Sequence, residues 1–600
     1  METIDPAAFY SQFISTRSTR KNRLLSQRKQ FGWWRLLCFV AGAGLLYLLW
    51  PLSLGIALLV IAAFTALFLF LVSRSVTIQQ QLSQTERELQ VAKEEGDIAA
   101  LRFQHRFNGA GYLPKSHPYA HDLDIFGNAS LYQYLHRTSS GPGRETFANW
   151  LLAPADNPTI LQRQQAARET AANPEWSIGF QATGDAEKLE SETAATLDRW
   201  LSEPPLFSKP IWKIIAIAVP AITLGSLLLY VFDVLSTPRF LALITLYLLI
   251  AFAITRKVQP AYVMLNKAVS QLNTLSAVLA CLEHSGFNKG AWQQLLKRIA
   301  VNNNDLPASK RIRQLRQILD RFDVRLNPLV FIPLNAFLLW DLQVILQLEK
   351  WRREQRSSVH DWFHVIGEAE ALNSLARTVF NHPAFTTPVL SDVPGHFEAK
   401  ALVHPLIPAS QAVSNDFATR GKPAVSLITG SNMAGKSTFL RAVGVNQVLA
   451  MAGSVAAAAE LTVSNNRIMS SMRISDNLEE NTSTFYAELN KLKVIIDAVK
   501  RQEPVFFLLD EILRGTNSHD RQTGSRALIE QMIRENGAGL LATHDLTLTE
   551  LAGMYPGVIC NYHFDVSVNG EELYFDYKLK TGVCQSMNAS VLMKKIGIEM

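Results

Sequence analysis

The sequence predicts a multidomain chain: two transmembrane helical hairpins, an all-α body divided by the second hairpin, and a C-terminal α/β domain built around a phosphate-binding loop. Three observations predict it. Residues 36–73 and most of 211–257 are apolar and uncharged, and a turn signal breaks each run near its middle. Leu, Gln, Arg and Ala recur at helical spacing through 120–210 and 258–384 with few strand signals. From 385 onward short β-branched runs alternate with helical patterns, as in a layered α/β fold.

Composition agrees. Of the 600 residues 48% are apolar, and the mean hydropathy of +0.07 is high for a wholly soluble chain. That excludes a disordered, collagenous or small disulfide-stapled protein. The net charge of +6 is mildly basic and names no partner. Cys38, Cys281, Cys560 and Cys584 form no CxxC pair, so neither a zinc site nor a disulfide framework is expected, and a reducing compartment is.

A basic segment, 1–35, opens the chain with Arg17, Arg20, Lys21, Arg23, Arg28, Lys29 and Arg35. The run 36–73 is too long for one span and is interrupted by Trp50-Pro51-Leu52-Ser53-Leu54-Gly55, which predicts a helical hairpin with both ends on one side. It is also too long, and starts too late, for a signal peptide. A helical linker is expected over 74–119, as an amphipathic helix running to about Phe107. The second hairpin, 211–257, pairs Ile214–Phe232 with Phe240–Thr255; its latter run is short, and a buried soluble helix pair is the competing reading. Arg74, Lys209, Lys213, Arg256 and Lys257 join the N-terminal cations on one side of the spans. By the positive-inside rule the termini and large segments are cytoplasmic, and the chain is integral to the cell membrane. Leu326–Trp340, apolar but short and holding Pro328 and Pro333, reads as soluble core.

The last segment, 385–600, carries the chemistry. Gly430, Ser431, Asn432, Met433, Ala434, Gly435, Lys436 and Ser437 match GxxxxGK[ST]; the strand-like Ala424–Thr429 precedes them and a helix opening at Thr438 follows. In that context the backbone N–H groups and the helix N-terminus hold phosphates, Lys436 reaches the β- and γ-phosphates, and Ser437 ligates Mg²⁺. Val505–Leu509 then runs into Asp510 and Glu511. Asp510 would complete the Mg²⁺ shell, and Glu511 would orient or deprotonate the attacking water. Two acids ending a strand are by themselves weak evidence; their order after the phosphate loop is what gives them weight. A further strand, Gly539–Thr543, ends in His544, placed to sense the γ-phosphate. The expected ligands are ATP and Mg²⁺.

These residues resemble the MutS group of DNA mismatch-repair ATPases, part of the ABC ATPase superclass. Thr429–Arg441 is similar to the family's phosphate loop, with Ser431 and Ala434 where Pro and Gly are usual. Asn481–Phe485 is similar to its signature segment, Asp510–Thr516 to its Walker B region and Ala542–Asp545 to its switch. His404-Pro405 and Asn415-Asp416-Phe417 also fit. The resemblance implies a homodimer through the ATPase domains, with Phe417 stacking on adenine and Ser483 reaching the γ-phosphate of the opposite subunit. Leu123–Gly127, Leu131–Thr138, Gly143-Arg144 and Trp150–Pro154 look like the entry to the family's helical lever domain.

The chain also departs from that pattern. Before residue 120 no mismatch-reading domain with its Phe-x-Glu wedge is expected. Only the polar turn Asn302–Pro307 stands where a DNA clamp would be inserted, and no nuclease-like Smr tail is expected before Met600. Lys289, Lys297, Arg298, Lys310, Arg311, Arg313, Arg316, Arg321 and Arg325 could face phosphates of DNA, solvent or anionic lipid. The resemblance therefore implies a membrane-anchored MutS-like ATPase that moves its helical arms on DNA. The alternative is a membrane ATPase acting on a protein partner or on the membrane without DNA. A transporter fits less well, since the spans lack intramembrane charges.

Overall fold

The computed structural model describes residues 5–50, 54–266, 269–299, 306–431, 434–473, 484–569 and 572–584. The chain opens with two very long helices, α1 (Pro6–Leu49) and α2 (Leu54–Ala99), which pack against each other. Asp5 caps α1, accepting from the N–H groups of Ala7 and Ala8, and Pro6 at the first helical position suits that start. At 1.5 Å per residue each helix is more than about 60 Å long, twice the hydrocarbon thickness of a bilayer. The basic segment and the linker are thus continuous with the apolar runs, and the linker helix stops at Ala99, short of Phe107. Close packing is visible at Gly42, where a Cβ would stand 2.9 Å from the Phe64 ring. Below the apolar stretch Arg17 pairs with Glu88 at 2.9 Å and Lys21 with Glu86 at 2.9 Å.

The foot of this hairpin is built into an all-α body. Tyr10, Phe13, Val91 and Ala92 pack on Ile178 and Ala182. The body comprises α3 (Leu131–Leu135), α4 (Gly141–Leu152), α5 (Asn157–Ala171), α6 (Pro174–Gly184) and α7 (Ser191–Ser202), then, after the second hairpin, α10 (Val269–Glu283), α11 (Ala291–Ile299), α12 (Ala308–Asp320), α13 (Pro328–Leu338), α14 (Trp340–Gln355) and α15 (Ser358–Asn381). The 24-residue α15 is buried along most of its length and serves as the axis on which α4, α5 and α11 pack.

The second hairpin is α8 (Ile211–Val231) and α9 (Thr237–Asn266). Tyr230 and Phe240 stack across its turn at 4.3 Å, and the Tyr247 hydroxyl donates to Ser226 Oγ at 3.3 Å. By length and composition α1, α2, α8 and α9 are each long and apolar enough to cross a membrane, and their apolar windows are between 6% and 22% buried. Ile217, Leu228, Leu249 and Phe252 of this pair face outward. α9 runs on past Thr255 into the body, so hairpin and body share one helix.

The segment Leu326–Trp340 is core only at its C-terminal end, where Leu339 is buried and Trp340 packs against the helical core. Leu326 is 77% and Leu329 87% exposed, with Val330 and Ile332 also outward, and within α13 Asn335 and Ala336 turn in toward α8 and α9. A short apolar run fixes burial only when a neighbour covers it, and here one side of α13 is left bare.

The C-terminal domain has two sheets. The larger runs in the order β10 (Glu572–Thr581), β9 (Ile559–Asn569), β4 (Ala424–Gly430), β8 (Ala538–Ala542), β7 (Val505–Asp510), β6 (Arg467–Ser471), parallel but for the edge strand β10. The smaller orders β1 (Val389–Ser391), β5 (Glu460–Ser464), β2 (His396–Leu402) and β3 (Asn415–Arg420). β7 is buried throughout, as a parallel strand covered on both faces must be. One face is covered by α16 (Lys436–Ala452); the other by α17 (Thr484–Lys500) and α18 (Ser518–Arg534).

Candidate nucleotide site

Strand β4 delivers its C-terminal edge to the loop that opens α16, the place where a doubly wound sheet binds ligands. Two glycines make the turn. Gly430 has φ +139° and a Cβ there would stand 2.7 Å from the Phe564 carbonyl oxygen; Gly435, at φ +103°, precedes Lys436, the first residue of the helix. Lys436 is buried. Its Nζ donates to the carbonyls of Gly430 at 2.8 Å and Ser431 at 3.0 Å, and lies 3.2 Å from His544 Nε2. Burial pulls the Lys436 ammonium below its usual pKa, against the pull of Glu511 and Asp510.

Asp510 and Glu511 leave the end of β7 in different environments. Asp510 is nearly buried, and burial raises its carboxyl pKa although the Ser437 hydroxyl bonds to it. Its Oδ1 has no hydrogen-bond partner among the described residues. An unpaired carboxylate oxygen beside a serine hydroxyl fits a hard, oxygen-seeking cation, so these two residues suit Mg²⁺. Glu511 has φ +50° and Leu513 φ +60°, a left-handed backbone unusual for side-chain-bearing residues. Glu511 Oε1 faces His544 Nε2 at 2.7 Å and Oε2 meets Arg514 at 3.0 Å. The hydrogen bond from His544 is the main reason its carboxyl stays below the usual range. The turn is held from outside by Glu488 of α17, which accepts from the Leu513 N–H at 2.5 Å.

Beside the loop lies a cavity of about 590 Å³, within the range of small-molecule sites. Lys436, Ser437, Thr438 and Glu511 line its polar end; Leu406, Ile407, Val413 and Tyr577 line the apolar one. Phe417 is elsewhere. It is 3% exposed, packs on Phe439 at 5.5 Å and Tyr562 at 5.6 Å, and does not line the cavity. The cavity's aromatic lining is Phe439, Phe564 and Tyr577, of which Tyr577 is announced by no local pattern. It sits on β10 where the pairing with β9 slips between Phe575 and Leu579, and Asn415 fixes that bulge, donating to the Tyr577 carbonyl at 3.1 Å and accepting from the Leu579 N–H at 2.8 Å. His404 also lines the cavity, its pKa lowered to about 4 by burial and by Arg441, so it stands neutral there. Ala434 is buried within the loop, whereas Asn432, Met433 and Ser483 lie outside the described residues.

The basic residues of the body are largely committed to protein partners. Arg298 pairs with Asp361 and Glu368, Arg316 with Asp320, and Arg325 with the buried Asp341. Arg311 donates to Gln355. Lys289, Lys297, Lys310 and Arg313 remain exposed.

Known proteins are similar over this part of the chain. Residues 426–596 match the family MutS domain V. The DNA mismatch repair protein MutS of Thermotoga petrophila is 32% identical over 236 residues, 39% of this chain and 29% of that protein. DNA mismatch repair protein MutS 2 of Haloarcula marismortui is 37% identical over 181 residues, 29% of this chain and 19% of that protein, and its namesake in Halobacterium salinarum is 33% identical over 238, 39% and 27%. The match spans less than a third of each of these relatives. The C-terminal two-fifths of the chain is therefore similar to the corresponding part of the mismatch-repair proteins, and the MutS domain V match over residues 426–596 implies an ATP-hydrolysing unit.

Proposed function

We propose that the protein is a membrane-anchored MutS-type ATPase in which a homodimer of ATPase domains closes on ATP and Mg²⁺ and passes that movement through the helical body to the two membrane hairpins. Lys436 and the loop amides hold the phosphates, and Ser437 and Asp510 would hold Mg²⁺, which neutralises phosphate charge when bound. Glu511, kept ionised by His544, orients or deprotonates the attacking water, and Ser483 of the opposite subunit completes the site. The hairpin turns lie outside, and the body and ATPase domain in the cytoplasm.

The observation that carries this reading is the continuous packing between loop and hairpin. Asp122 accepts from Ser470 Oγ at 2.7 Å and Lys491 Nζ at 2.6 Å, tying the ATPase sheet and α17 to the segment that follows α2. Glu95 of α2 in turn is locked to Arg137 of the body. Action on DNA is the second reading, favoured by the relatives and by the exposed Lys289, Lys297, Lys310 and Arg313; the pairing of most neighbouring arginines makes it the weaker one. The full chain in lipid nanodiscs separates the two. Mg²⁺-dependent ATP hydrolysis with no salt-dependent duplex binding supports the membrane reading, and tight duplex binding that stimulates hydrolysis would overturn it.

A further inference from the structure

α13 leaves an eleven-residue stretch, Pro-Leu-Val-Phe-Ile-Pro-Leu-Asn-Ala-Phe-Leu, with no charge and a bare apolar side. At 1.5 Å per residue it is about 16 Å long, half of the roughly 30 Å hydrocarbon core, so it cannot cross. It is nevertheless fixed against the second hairpin. The Thr223 hydroxyl of α8 donates to the Phe337 carbonyl, and Asn335 donates to Thr255 Oγ1 of α9 at 2.9 Å.

The two ends of the stretch return to one point. Arg325 just before it and Asp341 just after it form a 2.8 Å ion pair, Thr255 donates to the same aspartate at 2.5 Å, and Asp341 is wholly buried. A sharp bend at Leu339, with φ +48°, turns the chain by 77° into α14, which carries charges and belongs to the body. Gln343 of α14 then donates to the Ala216 carbonyl near the basic end of α8. Entry and exit are therefore clamped together at the level where α9 leaves its apolar run.

We propose that α13 is a fifth membrane element, an apolar helix sunk into the cytoplasmic leaflet beside the second hairpin, which enters and leaves on the same face. The occupant of its bare side is lipid acyl chain, because α13 packs on α8 and α9, which themselves turn apolar side chains outward, and its foot is closed by a buried ion pair. This rests on the membrane reading of α8 and α9. Clamped to both the hairpin and α14, such a helix would fix the depth and tilt of the body on the membrane.

The test uses the full chain with its four cysteines replaced, ATPase activity retained, in nanodiscs carrying doxyl-labelled acyl chains. A fluorophore is attached at Leu329→Cys, with Leu249→Cys in α9 and Lys350→Cys in α14 as references. The expected result is quenching at 329 by acyl-chain doxyl groups to the extent seen at 249, and quenching by aqueous iodide at 350 only. Iodide quenching at 329 with lipid quenching at 249 overturns the proposal and leaves the hairpin standing; iodide quenching at both sites removes the membrane reading itself. Impermeant labelling of Arg313→Cys and Lys350→Cys should occur from one face of sealed vesicles, and labelling from opposite faces would mean that this stretch crosses. Should the cysteine-free chain fail to fold, hydroxyl-radical footprinting of the unaltered chain in nanodiscs decides, with Leu326 and Leu329 predicted to be protected and overturning the proposal if oxidised.

Discussion

Arg137 and Glu95 form a buried ion pair, with Nε 2.5 Å from Oε1, that joins the foot of the N-terminal hairpin to the helical body. The pair is the centre of a larger node. Asn381 donates to Glu95 Oε2 at 2.7 Å, Tyr10 donates to Asn381 at 2.7 Å, and Arg377 donates to the Tyr10 hydroxyl at 3.0 Å. Burial alone would raise the Glu95 carboxyl pKa, but Arg137, Arg377 and Arg106 hold it at about 2. The consecutive helices α1 and α2 are thus joined to the distant α15 through one hydrogen-bonded node.

Removing one partner leaves the other charged and buried, so Glu95→Gln should destabilise the folded chain by about 3 kcal/mol. The same residue sets a pH dependence. Its folded pKa lies below the ordinary 4.5, so its stabilisation is complete above that value and is lost as pH falls from about 4.5 toward 2. Thermal melts in detergent between pH 6 and pH 3 should show a steeper acid loss for the wild type than for Glu95→Gln; parallel curves would show that the carboxylate is not held this way.

At the nucleotide site, Lys436→Ala should remove tight ATP binding, while Glu511→Gln should bind ATP and turn over at least about 100-fold more slowly. Unchanged hydrolysis by Glu511→Gln would exclude it as the water-orienting base.

His544→Ala should let the Glu511 pKa rise, since the imidazole is the chief group keeping it low. The acid limb of the hydrolysis profile should move to higher pH in the variant. An unshifted limb would separate the two residues functionally.

Tyr577 and Phe417 make opposite predictions. Tyr577→Ala should weaken ATP binding by roughly 3- to 10-fold, the effect of one lost ring contact of about 0.5–1.5 kcal/mol. Phe417→Leu should leave binding unchanged and lower the melting temperature, because its ring fills core. Isothermal titration distinguishes these outcomes; weakened binding only in the Phe417 variant would reverse the assignment.

If Ser483 acts across a two-fold interface, Ser483→Arg and Lys436→Ala chains should each be inactive, and a mixture should regain partial activity through one intact composite site. A co-assembled mixture that stays inactive would argue for a site completed within one chain.

What the sequence disclosed was local. The phosphate loop between strand and helix and the two acids ending β7 are patterns of adjacent residues whose spacing dictates the backbone. Tyr577, Asn415 and Asp122 act through partners more than a hundred residues away, and no spacing rule reaches them. Phe417 shows a conflict between resemblance and periodicity: alternation along β3 turns its side chain inward with Thr419, which is core geometry. Leu326–Trp340 was legible only in part, because the apolar run itself does not say which of its residues a neighbour covers: Leu339 is buried and Leu329 is not.

Under the proposed function, nucleotide-driven closure reaches the membrane hairpins. It is tested most directly by double electron–electron resonance between spin labels at Gln30→Cys on the two α1 helices of a Glu511→Gln dimer in nanodiscs, in a background free of other cysteines. The expected distance distribution shifts on adding ATP and Mg²⁺, and loses this shift when Glu95→Gln is added although ATP still binds. Identical distributions with and without nucleotide, in a dimer shown to bind ATP, would contradict it.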